Sequence, residues 1–95
     1  MACRSSSRGG PHGDDDARAL FYNNVAVDWM VAGQKADAKR LFEILVARAP
    51  DVAEPYNNYA VLLIRTRDLE GALTLLERGI ARFPSYKPLY TNAIV

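Results

Sequence analysis

The chain has 95 residues, of which 49% are hydrophobic and 24% are charged, and its formal net charge at pH 7 is +1. A chain of this length forms one domain at most, and the composition is that of an ordinary globular protein. The near-neutral charge argues against nucleic acid or an anionic membrane as the main partner. The single cysteine excludes an internal disulfide and favours a reducing compartment. Because no apolar run is long enough to cross a membrane and none follows Met1 as a signal peptide, the sequence predicts a cytoplasmic protein.

Residues 1–15 are rich in Ser, Gly, Arg and Asp and offer almost nothing apolar to a core. This composition predicts a disordered N-terminal tail. Cys3 and His12 lie in the tail, and two candidate ligands at this spacing do not make a zinc site. The sequence therefore predicts no metal and no other cofactor.

A first helical hairpin is predicted after the tail. Its first helix runs from about residue 17 to 32, one of the aspartates at 14–16 is expected to cap it, and Gly33 supplies the left-handed residue that ends it. The second helix is expected over about 35–49, where Pro50 breaks it. Apolar side chains recur at helical spacing in both segments.

A second hairpin and one further helix follow. The third helix is predicted to begin near Ala53, and Asp68 is expected to cap the fourth. Phe83 and Pro84 close the fourth helix, and a fifth is expected from residue 87 or 88 to the last residue.

Residues 34 places apart in these segments are often identical. Twelve pairs match without a gap, where ordinary composition gives about two, and a fixed period of this length predicts a solenoid of stacked units. The units are expected at about 19–52 and 53–86, with a partial third at about 87–95. The matching pairs are Ala19/Ala53, Tyr22/Tyr56, Asn23/Asn57, Asn24/Asn58, Ala26/Ala60, Val27/Val61, Ala38/Ala72, Leu41/Leu75, Glu43/Glu77, Ala47/Ala81, Arg48/Arg82 and Pro50/Pro84.

The repeat resembles the tetratricopeptide repeat (TPR) family, whose pattern runs W-x2-L-G-x2-Y, then A-x3-F, then P. The resemblance implies an all-α fold over residues 16–95, a TPR-type right-handed solenoid of antiparallel helix hairpins. It also implies a non-enzymatic protein-binding module. The slots hold Tyr22, Val25, Ala26, Trp29, Ala38, Phe42 and Pro50 in the first copy, and Tyr56, Tyr59, Ala60, Leu63, Ala72, Leu76 and Pro84 in the second.

Small and aromatic residues on the apolar stripes are expected to form the core. Alanines at 26, 38, 60 and 72 should let the two helices of each hairpin approach closely. The aromatic side chains on these stripes are predicted to be buried rather than to form a stacking platform. They are Tyr22, Trp29, Phe42, Tyr56 and Tyr59.

In the TPR family the first helix of each unit lines the concave side of the array, and some members hold peptides with a ladder of asparagines. Asn24, Asn58 and Asn92 are expected to stack along such a groove, where their amides suit the N–H and C=O groups of an extended peptide. The alternative is that the asparagines bond neighbouring helices or are simply solvated. The residues predicted to bind peptide are Asn23, Asn24, Val27, Met30, Asn57, Asn58, Val61, Ile64, Arg65 and Asn92.

The same sequence bears on other possible functions. Some TPR arrays hold chaperones with a carboxylate clamp, and of the clamp residues only Asn58 has a counterpart here. The sequence contains no recognisable group of catalytic residues, no phosphate-binding loop and no small-molecule site. The expected partner is therefore a protein or peptide. A rival interpretation is a self-assembling or scaffolding element that forms homo-oligomers through its apolar C-terminal helix. Because the pattern stops in mid-motif, a fragment of a longer TPR array is a further expectation.

Overall fold

The computed structural model of the protein describes residues 13–93, with side chains from residue 16. The predicted tail up to residue 12, with Cys3 and His12, lies outside the described residues, as do Ile94 and Val95. The described part is all-α and contains no strand. Its five helices are α1 (Gly13–Val31), α2 (Lys35–Arg48), α3 (Ala53–Arg65), α4 (Leu69–Arg82) and α5 (Lys87–Ala93).

The helix boundaries follow the predictions within one residue except at the start of α1, and the predicted end of the fifth helix at residue 95 lies outside the described residues. The described residues are helical from Gly13 onward, so residues 13–15 of the predicted disordered tail are helical, which corrects that part of the prediction. The aspartates at 14–16 lie inside the helix and not before it, so the prediction that one of them caps it is wrong. Asp68 does cap α4, because its side chain accepts a hydrogen bond of 3.0 Å from the Gly71 amide. This cap satisfies one of the amides that a helix start leaves without a partner.

The turns inside the two hairpins share one conformation. Gly33 has a φ of 91°, which confirms its predicted left-handed geometry, and Arg67, 34 residues later, has a φ of 69°. In both turns the next residue donates its N–H to a carbonyl five residues back at 2.8 Å. This bond closes the end of the preceding helix. Glycine adopts the left-handed conformation at lower cost than Arg67 does, because glycine has no Cβ.

The helices stack as two hairpins and a fifth helix. α1 packs on α2 and α3 packs on α4, while α2 also contacts α3 and α4 contacts α5. The first helices of successive units lie close to each other, α1 to α3 and α3 to α5, whereas the backbones of α2 and α4 do not approach each other closely. The described array therefore curves with α1, α3 and α5 on its inner side, and we call their exposed surface there the inner face.

One continuous core joins the units. The four alanines at 26, 38, 60 and 72 are all buried in it, as expected for helices that approach closely. Two tyrosines attach the helices to the preceding loop, since the Tyr56 hydroxyl donates to the Pro50 carbonyl at 3.3 Å and the Tyr90 hydroxyl to the Pro84 carbonyl at 2.8 Å. The register of the stack is therefore fixed by repeated polar contacts as well as by packing.

The aromatic side chains divide between the core and the surface. Phe42, Tyr56 and Tyr59 are buried as predicted. Trp29 and Tyr22 are 36% and 46% exposed, so the prediction that they belong to the core is wrong. They occupy the same motif slots as buried residues of the second unit, but α1 has no helix packed on its far side among the described residues.

Tyr59 should give the protein a measurable alkaline transition. Burial, together with the adjacent Glu43 carboxylate that accepts its hydroxyl at 3.1 Å, raises the pKa of Tyr59 from 10.0 to about 12. Because the folded-state pKa lies above the unfolded one, the stabilising contribution is complete below about pH 10 and is lost as pH rises from 10 to 12. Urea unfolding at pH 9 and pH 12 should show a smaller loss of stability for Tyr59→Phe than for the unchanged protein. Equal losses would contradict this assignment.

Candidate functional site

The asparagines of the inner face are paired across the boundaries between units. The Asn58 side-chain amide donates to the Asn23 side-chain oxygen at 3.0 Å. The same bond recurs 34 residues later, where the Asn92 amide donates to the Asn57 oxygen. Each pair joins neighbouring first helices, α1 to α3 and α3 to α5. The asparagines therefore hydrogen-bond neighbouring helices, which is the alternative that the sequence left open.

This pairing leaves part of each amide available. An asparagine side chain has two N–H donors and a carbonyl oxygen with two lone pairs, and each bond uses one donor and one acceptor site. Asn57, Asn58 and Asn92 are half-buried, so their remaining groups border solvent, and Asn24 is exposed. A row of side-chain amides with spare hydrogen-bonding capacity thus runs across α1, α3 and α5.

Two residues predicted to contact a peptide directly are buried. Asn23 is 4% exposed, because it lies against α3 beneath the Asn58 amide, and Met30 is 6% exposed, because its thioether joins the core near the end of α1. Neither belongs to an accessible surface, which corrects their predicted role as direct contacts. The remaining predicted apolar residues, Val27, Val61 and Ile64, are half-buried and pack on the core with one side, while Arg65 is exposed.

The pairing predicts that two asparagines at equivalent positions of neighbouring units contribute differently to stability. Asn58→Ala leaves the buried Asn23 oxygen without its donor and should lower the free energy of unfolding by about 1–3 kcal/mol. Asn24→Ala, at the equivalent position of α1, removes an exposed side chain and should change it by less than about 0.5 kcal/mol. Urea titrations followed by circular dichroism measure both. Equal effects of the two substitutions would contradict a structural role for the Asn58–Asn23 bond.

Sequence reasoning missed a polar groove on the outer side, between α2 and α4. It has a volume of about 410 Å³, and the Tyr59 hydroxyl and Glu43 meet there. Both cationic and anionic side chains line it, so its charge is mixed. Its residues come from three helices and share no local pattern, which is why periodicity could not reveal it. They are Lys39, Glu43, Tyr59, Leu63, Asp68, Glu70, Gly71, Thr74, Leu75 and Arg78.

Two further findings on the described residues concern metal binding and membrane spans. Between residues 16 and 93, His, Cys, Asp and Glu side chains do not gather in a group of three that could hold a metal ion. In the same part of the chain, each helix is too short or too polar to span a membrane.

The paired first helices, the close-packed alanines and the 34-residue register agree with one family. A sequence model of the tetratricopeptide repeat family matches residues 31–94, about two-thirds of the chain. The chain belongs to the tetratricopeptide repeat family. Neither the comparison with curated proteins nor the comparison with solved structures gives a match.

Membership of the TPR family indicates a function in general terms. TPR repeats generally mediate protein–protein interactions, and the family is typically a non-enzymatic interaction module. The match begins at the end of α1 and covers α2 to α5. The TPR assignment therefore rests on α2, on the second hairpin and on α5, and not on most of α1.

Proposed function

We propose that this TPR chain binds a segment of another protein along its inner face, as an extended peptide or a partner helix. The observation that carries the proposal is the row of asparagine amides. The Asn58 and Asn92 amides hydrogen-bond across the boundaries between first helices, and each keeps hydrogen-bonding groups that these bonds do not use. Neighbouring helices lie about 8–10 Å apart, and an extended peptide advances about 3.3 Å per residue. One amide would then meet the peptide backbone about every three residues.

Apolar and charged groups beside the amides would select side chains of the ligand. Val27, Val61 and Ile64 present their outer sides between the amides. Ile64 and Asn92 also share the wall of a largely apolar groove of about 340 Å³ at the end of α3. Arg65, exposed beside Ile64, would favour an acidic residue of the partner. The balanced charge of the chain supports a protein partner over nucleic acid or a membrane, and its single cysteine supports the reducing cytoplasm as the location.

The test uses peptides selected on the folded chain from a displayed random library. Asn24→Ala should weaken a selected peptide roughly 2- to 10-fold, the value of one hydrogen bond, without a cost in stability. Thr74→Ala, in the outer groove, serves as the matched control and should leave the affinity unchanged. A peptide that is weakened by Thr74→Ala and not by Asn24→Ala would place binding on the outer side and contradict the proposal.

A second candidate function, self-assembly through the C-terminal end, is favoured by a separate observation. Leu69 and Leu73 are exposed on α4 beside the groove that Ala93 of α5 also lines, and Tyr90 is exposed on α5. Apolar surface of this kind pairs readily with another chain. Light scattering over a concentration series should then show association that Leu69→Glu abolishes, and association that survives Leu69→Glu would contradict this candidate.

A further inference from the structure

A groove lies open between the start of α1 and the end of α2. Its volume is about 480 Å³ and its floor is largely apolar. The two charged side chains that line it, Arg18 and Arg48, are both cationic. Within residues 16–93, neither of them forms an ion pair with a carboxylate. We call this the α1–α2 groove, and its lining residues are Arg18, Ala19, Tyr22, Leu41, Ile44, Leu45, Arg48 and Ala49.

The equivalent end of the second hairpin holds the loop that leads into α3. The Nε of Arg82 donates to the Pro50 carbonyl at 2.8 Å, and a terminal nitrogen of the same guanidinium pairs with the Asp51 carboxylate. The Tyr56 hydroxyl donates to the same carbonyl at 3.3 Å, and the Val52 side chain is buried in the core. A proline–aspartate–valine segment is therefore held there through one carbonyl, one carboxylate and one apolar side chain.

The first hairpin contains the same groups that hold this loop in the second. Tyr22 and Arg48 stand 34 residues before Tyr56 and Arg82, and both line the α1–α2 groove. The tyrosine at this position in the third unit also donates to the carbonyl of the preceding proline, at 2.8 Å. The tyrosine contact is thus a recurrent feature of the repeat. In the first hairpin the tyrosine and the arginine border an open groove instead of a loop.

Two differences between the hairpins explain why the groove is open. Residues 16–18 stand 34 places before the loop, but they belong to α1, so their carbonyls lie along the helix and serve its own hydrogen bonds. Ala49 stands where the second hairpin has Phe83, whose ring packs on Tyr56 at a centroid distance of 5.5 Å. A small side chain in place of this ring leaves space beside Tyr22. The first hairpin therefore has the binding groups and the space, but not the segment.

We propose that the α1–α2 groove binds an acidic segment of another protein with the order proline, acidic residue, apolar residue. The proline carbonyl accepts from Tyr22 and Arg48, the carboxylate pairs with Arg48, and the apolar side chain lies on the floor. Arg18 adds a second cation, which favours further acidic residues in the ligand. Residues 1–12 of this chain carry two arginines and no acidic residue, so they do not complement this charge. The groove shares no residue with the amide row, and the inference does not rest on the function proposed above.

The first experiment uses the loop itself as a probe, a blocked peptide with the sequence of residues 49–53, APDVA. In a ¹H–¹⁵N NMR titration of the full chain with up to about 10 mM peptide, we expect the backbone signals of Leu45 and Ala49 to shift, with a dissociation constant on the order of 1 mM. The Asp51→Asn form of the peptide should bind about two- to fivefold more weakly, because it loses the charge pair. A titration without shifts, or equal affinity of the two peptides, would overturn the proposal.

A second experiment locates the site with variants of the chain. Arg48→Gln should weaken the peptide at least about threefold, because it removes a charge-assisted hydrogen bond. Arg40→Gln changes an exposed arginine of the same helix outside the groove, so it is the matched control for net charge and should leave the affinity unchanged. Tyr22→Phe keeps the ring and should weaken the peptide about two- to tenfold, the value of one hydrogen bond. Equal weakening by the two arginine variants, or shifts confined to the inner face, would overturn the proposal.

Discussion

Replacing Phe42 with alanine is expected to lower the free energy of unfolding by about 3–5 kcal/mol. Phe42 is completely buried, and its ring leaves α2 to stack on Tyr59 of α3. It therefore joins the two hairpins. A domain with about 80 ordered residues has a total stability of roughly 4–12 kcal/mol. Phe42→Ala should leave the array close to unfolding at 25 °C.

Urea unfolding followed by circular dichroism measures this loss, and the chain supplies a matched control. Phe21 is the same residue type at an exposed position, and Phe21→Ala should change the stability by no more than about 0.5 kcal/mol. Both variants should be measured at the same low micromolar concentration. If Phe21→Ala proved as costly as Phe42→Ala, the division between core and surface on these helices would be wrong.

Leu89→Ala should produce the second large effect, a loss of about 2–5 kcal/mol. Leu89 is completely buried and holds α5 against the second hairpin. It fits because residue 79 is glycine: a Cβ there would lie 3.1 and 3.2 Å from the two Leu89 methyl groups. In the first unit the sizes are reversed, with Leu45 and Pro55 at the equivalent positions. Residues 79 and 89 therefore share one volume in the core.

A double-mutant cycle tests this shared volume. Gly79→Leu should overpack the site and cost about 1–3 kcal/mol. The combination with Leu89→Ala should cost at least about 1 kcal/mol less than the sum of the two single changes, because the added side chain fills the space that is vacated. Leu73→Ala, at an exposed position on the same helix, provides the control. Simple additivity of the Gly79 and Leu89 substitutions would contradict the packing described here.

Local signals in the sequence predicted most of the helices. Gly33 and Asp68 act through their own backbone and side-chain geometry, and the helix periodicity needs no distant neighbour. The start of α1 was missed because aspartate is favoured both as a cap and inside the first turn of a helix. The residue type of Arg67 gave no signal for its left-handed conformation, which only its alignment with Gly33 in the repeat indicates.

Properties that depend on contacts between units could not be read from one unit. Trp29 and Tyr22 share motif slots with Leu63 and Tyr56, yet their burial depends on what packs against α1. The asparagines recur every 34 residues, but neighbouring helices pair residues 35 apart, as Asn23 and Asn58 do. The sequence therefore left bonds between neighbouring helices open as an alternative, but it did not indicate which asparagines pair.

The central claim, that a protein segment lies along the inner face, is tested most directly by the side-chain amide signals in an ¹H–¹⁵N NMR titration. The probe is a peptide selected on the folded chain from the displayed library. We expect the side-chain NH₂ signals of Asn24, Asn58 and Asn92 to shift on binding, while the backbone signals of Thr74 and Arg78 in the outer groove stay in place. Shifts confined to the outer groove, with the three amide signals unchanged, would contradict the claim.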